Sequence, residues 1–308
     1  MSSPLFTNEW IEQIVQRLAL KNQSNRLEGF GGVQVFQEPI IGIADGDDPI
    51  FEVFLTAVSP NHLLPRDFME RNSPEGTDLT NISIISWALP FSEEVRDSNR
   101  NGKWPSPLYS LARNNGGTLI HEVTRNIIEI LRDHGKTALA PVLTEEYDTF
   151  RSEKYTFTSS WSERHVAYAA GLGRFGLNGG LITGMGINVR FGSIITNLYL
   201  EPTIRGKGSY MSSCLENQGG NCNECIKRCP VDAISNIGLD KEKCYSRKKA
   251  IEGRFMEEYK NSMKMFPHPL VKSGKRTEGY SLGCALCQVG VPCERAYPVM
   301  FLKGSNNA

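Results

Sequence analysis

Hydrophobic positions in this chain recur with either a helical or a strand period, and the switches between the two outline its elements. Trp10, Ile11, Ile14, Val15 and Leu18 fall at helical spacing, so residues 8–20 predict an amphipathic helix capped by Thr7 or Asn8. Apolar runs at 33–36 and 50–58, the second rich in Phe and Val, predict strands. Ile82 to Leu89 is apolar apart from Ser83 and Ser86, the pattern of a strand buried on both faces, and Pro90 closes it. The segment 97–107 predicts a loop. Leu119, Val123, Ile127 and Leu131 share one stripe, which predicts a helix from Gly117 to His134 with Gly135 as its stop. Thr137 to Leu143 reads as a strand. Ser160 and Glu163 fit a capping box at the head of an Ala-rich helix over 160–172. A glycine-rich turn follows, then strands at 180–183 and 187–197, then a linker over 201–213 rich in Gly, Ser and charge. Helices and strands mix without a regular βαβ rhythm, so the pattern predicts an α+β layer fold.

The last third of the chain follows a different rule. All eight cysteines lie there, at Cys214, Cys222, Cys225, Cys229, Cys244, Cys284, Cys287 and Cys293. Cys222, Cys225, Cys229 and Pro230 form C-x2-C-x3-C-P, the tail of a bacterial ferredoxin run, in which one loop wraps a [4Fe–4S] cube and the last Cys serves a second cube. Two cubes need about eight thiolates. Ferredoxin-style exchange then predicts one cube on Cys214, Cys222, Cys225 and Cys293, and another on Cys229, Cys244, Cys284 and Cys287. The competing reading is structural zinc, because two C-x2-C pairs can build a tetrahedral four-thiolate site. Cys214 stands apart by an irregular gap and is alternatively a free thiol. A disulfide framework belongs to small secreted domains, not to one end of a 308-residue chain.

Length allows one large domain and a smaller one, here 1–205 and 206–308. The 34 basic and 34 acidic residues cancel, which gives no global field for nucleic acid or an anionic membrane. The first residues carry no secretory pattern, and no apolar run approaches the ~20 residues of a spanning helix. The expectation is a cytoplasmic protein with no membrane partner.

Gly171-Leu-Gly-Arg-Phe-Gly176 matches G-x-G-x-x-G, but a helix precedes it and a strand follows, the reverse of a dinucleotide fingerprint. The glycines instead let backbone approach a flat cofactor. His165 reads as part of a polar helix start. Arg190 is a candidate contact for an anionic cofactor tail or substrate, or a partner for a surface carboxylate.

The run from Ser162 to Asn178, followed by Gly180-Leu-Ile-Thr183 and Val189 to Thr196, resembles epoxyqueuosine reductases. It is also similar to cobalamin-dependent reductive dehalogenases, which carry an AGLG segment, an Ile-Thr strand and then a cysteine run. The resemblance covers about residues 80–295. It implies a nitroreductase-like α/β core that binds base-off cobalamin, with a C-terminal two-[4Fe–4S] ferredoxin-like module docked on it. It further implies an external low-potential donor such as ferredoxin or flavodoxin, and a small-molecule or tRNA-base substrate. On this reading Gly173, Gly176 and Asn178 line the cofactor face, and Arg164 and Arg190 are anion contacts. Three departures stand out. The first Cys of the usual run falls at Gly219, so Cys214 must substitute. The last group is C-x2-C-x5-C. The acidic proton donor of epoxyqueuosine reductases, six positions before Glu163, is Phe157. Tyr155 is then the candidate acid, of the phenolic kind that dehalogenases use. The alternative function is a ferredoxin-like electron-transfer protein without a corrinoid, docking to a redox partner.

Overall fold

A computed structural model describes residues 6–154, 156–272 and 275–298. Its centre is a four-stranded antiparallel sheet in the order Ile40–Asp45, Ser83–Pro90, Val189–Thr196 and Ala138–Leu139. Every residue of Ser83–Pro90 is buried, Ser83 and Ser86 included. Alternate residues serve opposite layers. Ile85, Trp87 and Leu89 join the larger core with α1 (Asn8–Leu20) and α5 (Pro107–Asp133), while Ile84 faces the core built by α2 (Ile50–Ala57), α3 (Pro65–Asn72) and α6 (Glu163–Ala169). The fold is therefore a mixed helix and sheet structure with helices on both faces of the sheet. Gly192 is required where two strands meet, because a Cβ there would lie 2.5 Å from the Trp87 ring.

Several elements depart from the sequence pattern for identifiable reasons. Residues 50–57 are helix α2, not a strand: Phe51, Phe54 and Val58 are buried at spacings of three and four, and the Asp48 carboxylate accepts from the Ile50 N–H at 2.9 Å. Helix α5 begins at Pro107, not Gly117, capped by Ser106, whose hydroxyl accepts from the Tyr109 N–H. Asn114, Asn115, Gly116 and Gly117 hid its first half. These are poor helix formers kept for contacts: Asn114 accepts from the Ser281 N–H at 2.8 Å and donates to the Phe266 carbonyl, and Gly116 lies against Phe36. Helix α4 (Glu93–Ser98) precedes the loop expected over 97–107 and overlaps its first residues. The strand expected over Thr137–Leu143 shortens to Ala138–Leu139 and a 3-10 turn at Pro141–Leu143.

The capping box at Ser160 does not form. Helix α6 starts at Glu163, and Ser160 instead donates to the Glu146 carbonyl and accepts from the Asp148 N–H. The 201–213 segment is strapped down. Thr203 exchanges two hydrogen bonds of 2.9 Å with Ile43, Arg205 pairs with Asp48 at 2.8 Å, and Arg174 donates to the carbonyls of residues 206 to 209. The glycine motif takes the expected order, with α6 leading into a hairpin of Gly173–Phe175 and Leu181–Thr183.

Candidate functional site

The cysteine-bearing region wraps one flank of the core. Short helix α7 (Glu224–Arg228) spans the gap between Cys225 and Cys229, and α8 (Lys241–Tyr259), capped by Asp240, carries Cys244. Three of the four non-glycine residues with positive φ among the described residues sit beside this chemistry. Asn221 (φ 47°) precedes Cys222, Ala285 (φ 47°) follows Cys284, and Asp232 (φ 50°) lies just past Cys229. Such conformations curl the chain tightly, and at Cys229 the curl brings the Ala233 N–H to Sγ at 3.2 Å.

The thiols gather in two groups. Cys214, Cys222, Cys225 and Cys293 line one small space of about 20 Å³ and repel one another as anions. Cys229, Cys244, Cys284 and Cys287 line a second cavity of about 470 Å³ and raise the Cys287 pKa together. Burial is the first cause of every one of these shifts and like charge the next for Cys225 and Cys293, which are pushed to about 11 and about 12. Four crowded thiols hold their protons in the absence of positive charge, and iron supplies that charge, so the donor set fits a thiolate-bound cluster. Among the described residues no three His, Cys, Asp or Glu side chains are grouped closely enough to hold a single metal ion.

The last cysteine loop is fixed to the core through its backbone. Asn99 donates to the Cys284 carbonyl at 3.1 Å, Asn178 to the Cys287 carbonyl at 3.1 Å, and the Ile187 N–H to the Cys293 carbonyl at 2.9 Å. Asn178 lines the cavities of both groups and also accepts from the Gly180 N–H.

Between α6 and α8 lies a cleft made of adjoining cavities of about 1070 and 1180 Å³, which share Arg164, His165, Phe157, Lys241, Tyr245 and Lys248. Arg164 and Lys248 also line the cavity of the Cys229 group, and Cys244 lines both that cavity and the cleft. Lys241, Cys244 and Lys248 are spaced three and four apart, on one stripe of α8, which continues into the buried Ile251 and Phe255. The hairpin Thr149–Ser152 and Thr156–Ser159 covers one end. Its Phe157 stacks on Tyr245 with centroids 4.3 Å apart, and Arg151 sits over the Phe157 ring at 4.4 Å and pairs with Glu242.

The cleft is cationic. Arg190 donates to the Arg113 carbonyl at 3.1 Å and is pushed down to about 9 by burial and then by Arg113. Arg164 donates to the Gly179 carbonyl, and burial and Arg113 lower its pKa too. By surface area its side chain is exposed, and it lines the cleft. Burial and the neighbouring arginines also lower Lys241 and Lys248. His165 accepts or donates at the Ser162 hydroxyl, 2.7 Å away, and is held neutral, near 3, by burial and by Arg164. Glu163 is the counterpoint. Both carboxyl oxygens are closed to water without a hydrogen-bond partner, and burial pushes the group up to about 8 against a small opposing effect of Ser193.

Of the residues proposed from sequence, Arg164 and Arg190 line this cleft. Gly176 borders the cavity of the Cys214 group and the cleft. Gly173 borders none of these cavities; a Cβ there would lie 2.3 Å from the Ile182 carbonyl, so its role is in the hairpin. Tyr155 lies outside the described residues. Glu163, Lys241 and Lys248 were not singled out. The i, i+3, i+7 stripe around Cys244 signals the lysines, whereas Glu163 was hidden by its fit to a capping box.

This geometry has relatives in sequence. A Bacillus anthracis protein named epoxyqueuosine reductase is 30% identical over 230 residues, 73% of this chain and 52% of the relative. The chain is similar to epoxyqueuosine reductases. The Bacillus subtilis (strain 168) protein of that name is 26% identical over 216 residues, 69% of this chain and 47% of the relative. The chain thus spans about half the length of the curated relatives it matches. Both relatives are oxidoreductases by name, and neither is a dehalogenase. No protein-family model matches the chain. A solved epoxyqueuosine reductase overlays at TM-score 0.49 with 16% identity, covering 97% of this chain and 67% of that one. Another, solved with a tRNA-TYR epoxyqueuosine-modified tRNA stem loop, overlays at 0.46 with 16% identity, covering 79% and 58%. Among the described residues no helix is long and apolar enough to cross a membrane.

Proposed function

We propose that this chain is an iron–sulfur reductase that works with a corrinoid in the cleft between α6 and α8. The observation that carries the reading is that the Cys229, Cys244, Cys284 and Cys287 thiols line a cavity adjoining that cleft, with Cys244 lining both, and that the other four thiols line a space sharing Asn178 with that cavity. The sequence similarity to epoxyqueuosine reductases supports the same reading.

Each thiol group would hold one [4Fe–4S] cluster, and these clusters with a cobalamin would supply low-potential electrons for a two-electron reduction. The cleft has the size for a large flat ring. The backbone of Gly176 and Gly179 and the rings of Phe175 and Tyr168 line one side, and α8 lines the other. The protein's own contribution is electrostatic and steric. Arg164, Arg190, Lys241 and Lys248 bind anionic groups and favour electron-rich states. His165 stays neutral and packs against Phe54 and Phe175, which fixes its ring in place. The 149–159 hairpin shields one end from water.

The proposed domains are a core over 1–205 and a cluster module over 206–308, with an external ferredoxin or flavodoxin as donor. A tRNA base is the substrate class that the relatives' name supports, and a cytoplasmic location goes with it. An electron carrier without corrinoid is the weaker reading, since the relatives are reductases and the cleft is large. The test is addition of cob(II)alamin to anaerobically reconstituted protein. A shift to the base-off spectrum supports the reading, and an unchanged spectrum at saturating cobalamin refutes it.

A further inference from the structure

Reduction of the kind proposed consumes protons as well as electrons, and the position that carries the acid in epoxyqueuosine reductases is Phe157 here. Its ring is committed to Tyr245 and Arg151 and has no proton to give. The proton must come from elsewhere in the cleft. On the Arg190 side, Glu252 is ion-paired with Lys249 at 2.7 Å and Lys248 at 3.8 Å, and Glu278 is exposed. Tyr147 is too weak an acid, pushed up to about 12 by burial and then by Glu163 and Asp148. His165 is already deprotonated at neutral pH.

One group remains. We propose that Glu163, whose carboxyl is buried without a hydrogen-bond partner where α6 lines both the main cleft and the cavity of the Cys229 group, is the proton donor to the substrate. This rests on the reductase reading. No ion pair joins Glu163 to Arg164 or Arg190, although all three line the same two cavities, so the carboxyl has no fixed cation to hold it ionised. The groups around it are Tyr147 from the preceding turn, Ser193 and Arg190 from the central strand, Arg164 and His165 from its own helix, and Lys248 in the same two cavities. The Ser193 hydroxyl accepts from the Trp161 indole N–H at 2.9 Å and keeps its own O–H, whose downward pull on Glu163 is outweighed by burial. Burial then keeps Glu163 protonated near neutrality, pushed up to about 8.

For an epoxide substrate the balance is two electrons and two protons. Both C–O bonds break, a C=C bond forms, and the oxygen leaves as water. The electrons come from a one-electron reductant of the ferredoxin class. The Glu163 O–H bond breaks and an O–H bond forms on the departing oxygen, giving hydroxide. Solvent supplies the second proton and later restores the Glu163 acid.

The test uses the full chain with reconstituted clusters and an epoxyqueuosine-bearing tRNA stem loop as probe. Glu163→Gln should lower kcat by ~10²–10⁴-fold with KM within about threefold of the parent, and Glu163→Asp should recover part of it. The parent's kcat/KM should fall as pH rises through about 8, and that limb should vanish in the Gln variant. Equal kcat in parent and E163Q overturns the inference. An infrared titration without substrate gives an independent readout: a protonated-carboxyl band that titrates near pH 8 and is absent in E163Q. A band titrating in the ordinary carboxylic range overturns the inference. Cob(II)alamin should bind E163Q as tightly as the parent. If the parent binds no cobalamin and leaves the probe unreduced, the reductase reading fails instead, and the infrared titration alone decides whether Glu163 holds a proton.

Discussion

Replacing Asn178 with alanine should loosen the whole cysteine loop from the core. The side chain is only 6% exposed, donates to the Cys287 carbonyl at 3.1 Å and accepts from the Gly180 N–H at 3.0 Å. A buried partner left unsatisfied costs ~1–3 kcal/mol, and here there are two, so the loss is about 2–6 kcal/mol. Part of it falls on the fold of the glycine turn and part on the docking of the loop that carries Cys284, Cys287 and Cys293. At roughly 2–4 °C per kcal/mol for a domain of this size, the melting temperature should drop by at least about 4 °C. The assay is anaerobic calorimetry or circular dichroism of the reconstituted protein, with iron measured in parallel. Because the bond holds Cys287 in place, iron should be lost earlier on heating in Asn178→Ala. A melting temperature within about 1 °C of the parent, with iron retained, would refute the argument that Asn178 couples core and module.

Because the two thiol groups share no cysteine, Cys287→Ser and Cys222→Ser should each leave about four of about eight irons, measured by iron assay and EPR. His62 accepts from the Ser162 N–H at Nε2 and donates from Nδ1 to the Leu63 carbonyl, so it is folded in the neutral form, lowered to about 4 mainly by burial. Its contribution is present above pH 6.5 and is lost as pH falls towards about 4, up to ~3 kcal/mol; His62→Gln should flatten this acid limb in urea titrations. Gly192→Ala would set a Cβ 2.5 Å from the Trp87 ring and should cost ~1–3 kcal/mol in the same assay, without loss of iron.

What could be read from sequence followed from how each residue spends its polar groups. The strand Ser83–Pro90 was legible because a sheet covered on both faces takes a mostly apolar run, here interrupted only by the small Ser83 and Ser86. Helix α1 was legible because one face meets water, and the Thr7 hydroxyl caps it by accepting from the Trp10 N–H at 3.2 Å. The first turns of α5 were not legible, since Asn114 and Asn115 serve a loop about 150 positions away, which no local pattern encodes. Residues 50–57 misled because Phe and Val favour strands, while the spacing of Phe51 and Phe54 and the cap by Asp48 decide for a helix. The cysteine groups were the most legible part of the site, because ligand spacing is itself a sequence property. The cleft was the least. Its cations come from α5, α6, the central strand and α8, and only folding brings Arg113, Arg164, Arg190 and Lys248 to one place.

The most direct test of the central claim is one anaerobic EPR experiment on the full chain, with iron and cobalt quantified, after adding cobalamin and a strong reductant. The account predicts about eight irons per chain, signals of two reduced [4Fe–4S] clusters and a base-off cob(II)alamin signal. Colourless protein that binds zinc in place of iron, or two clusters with cobalamin left free in solution, would contradict it.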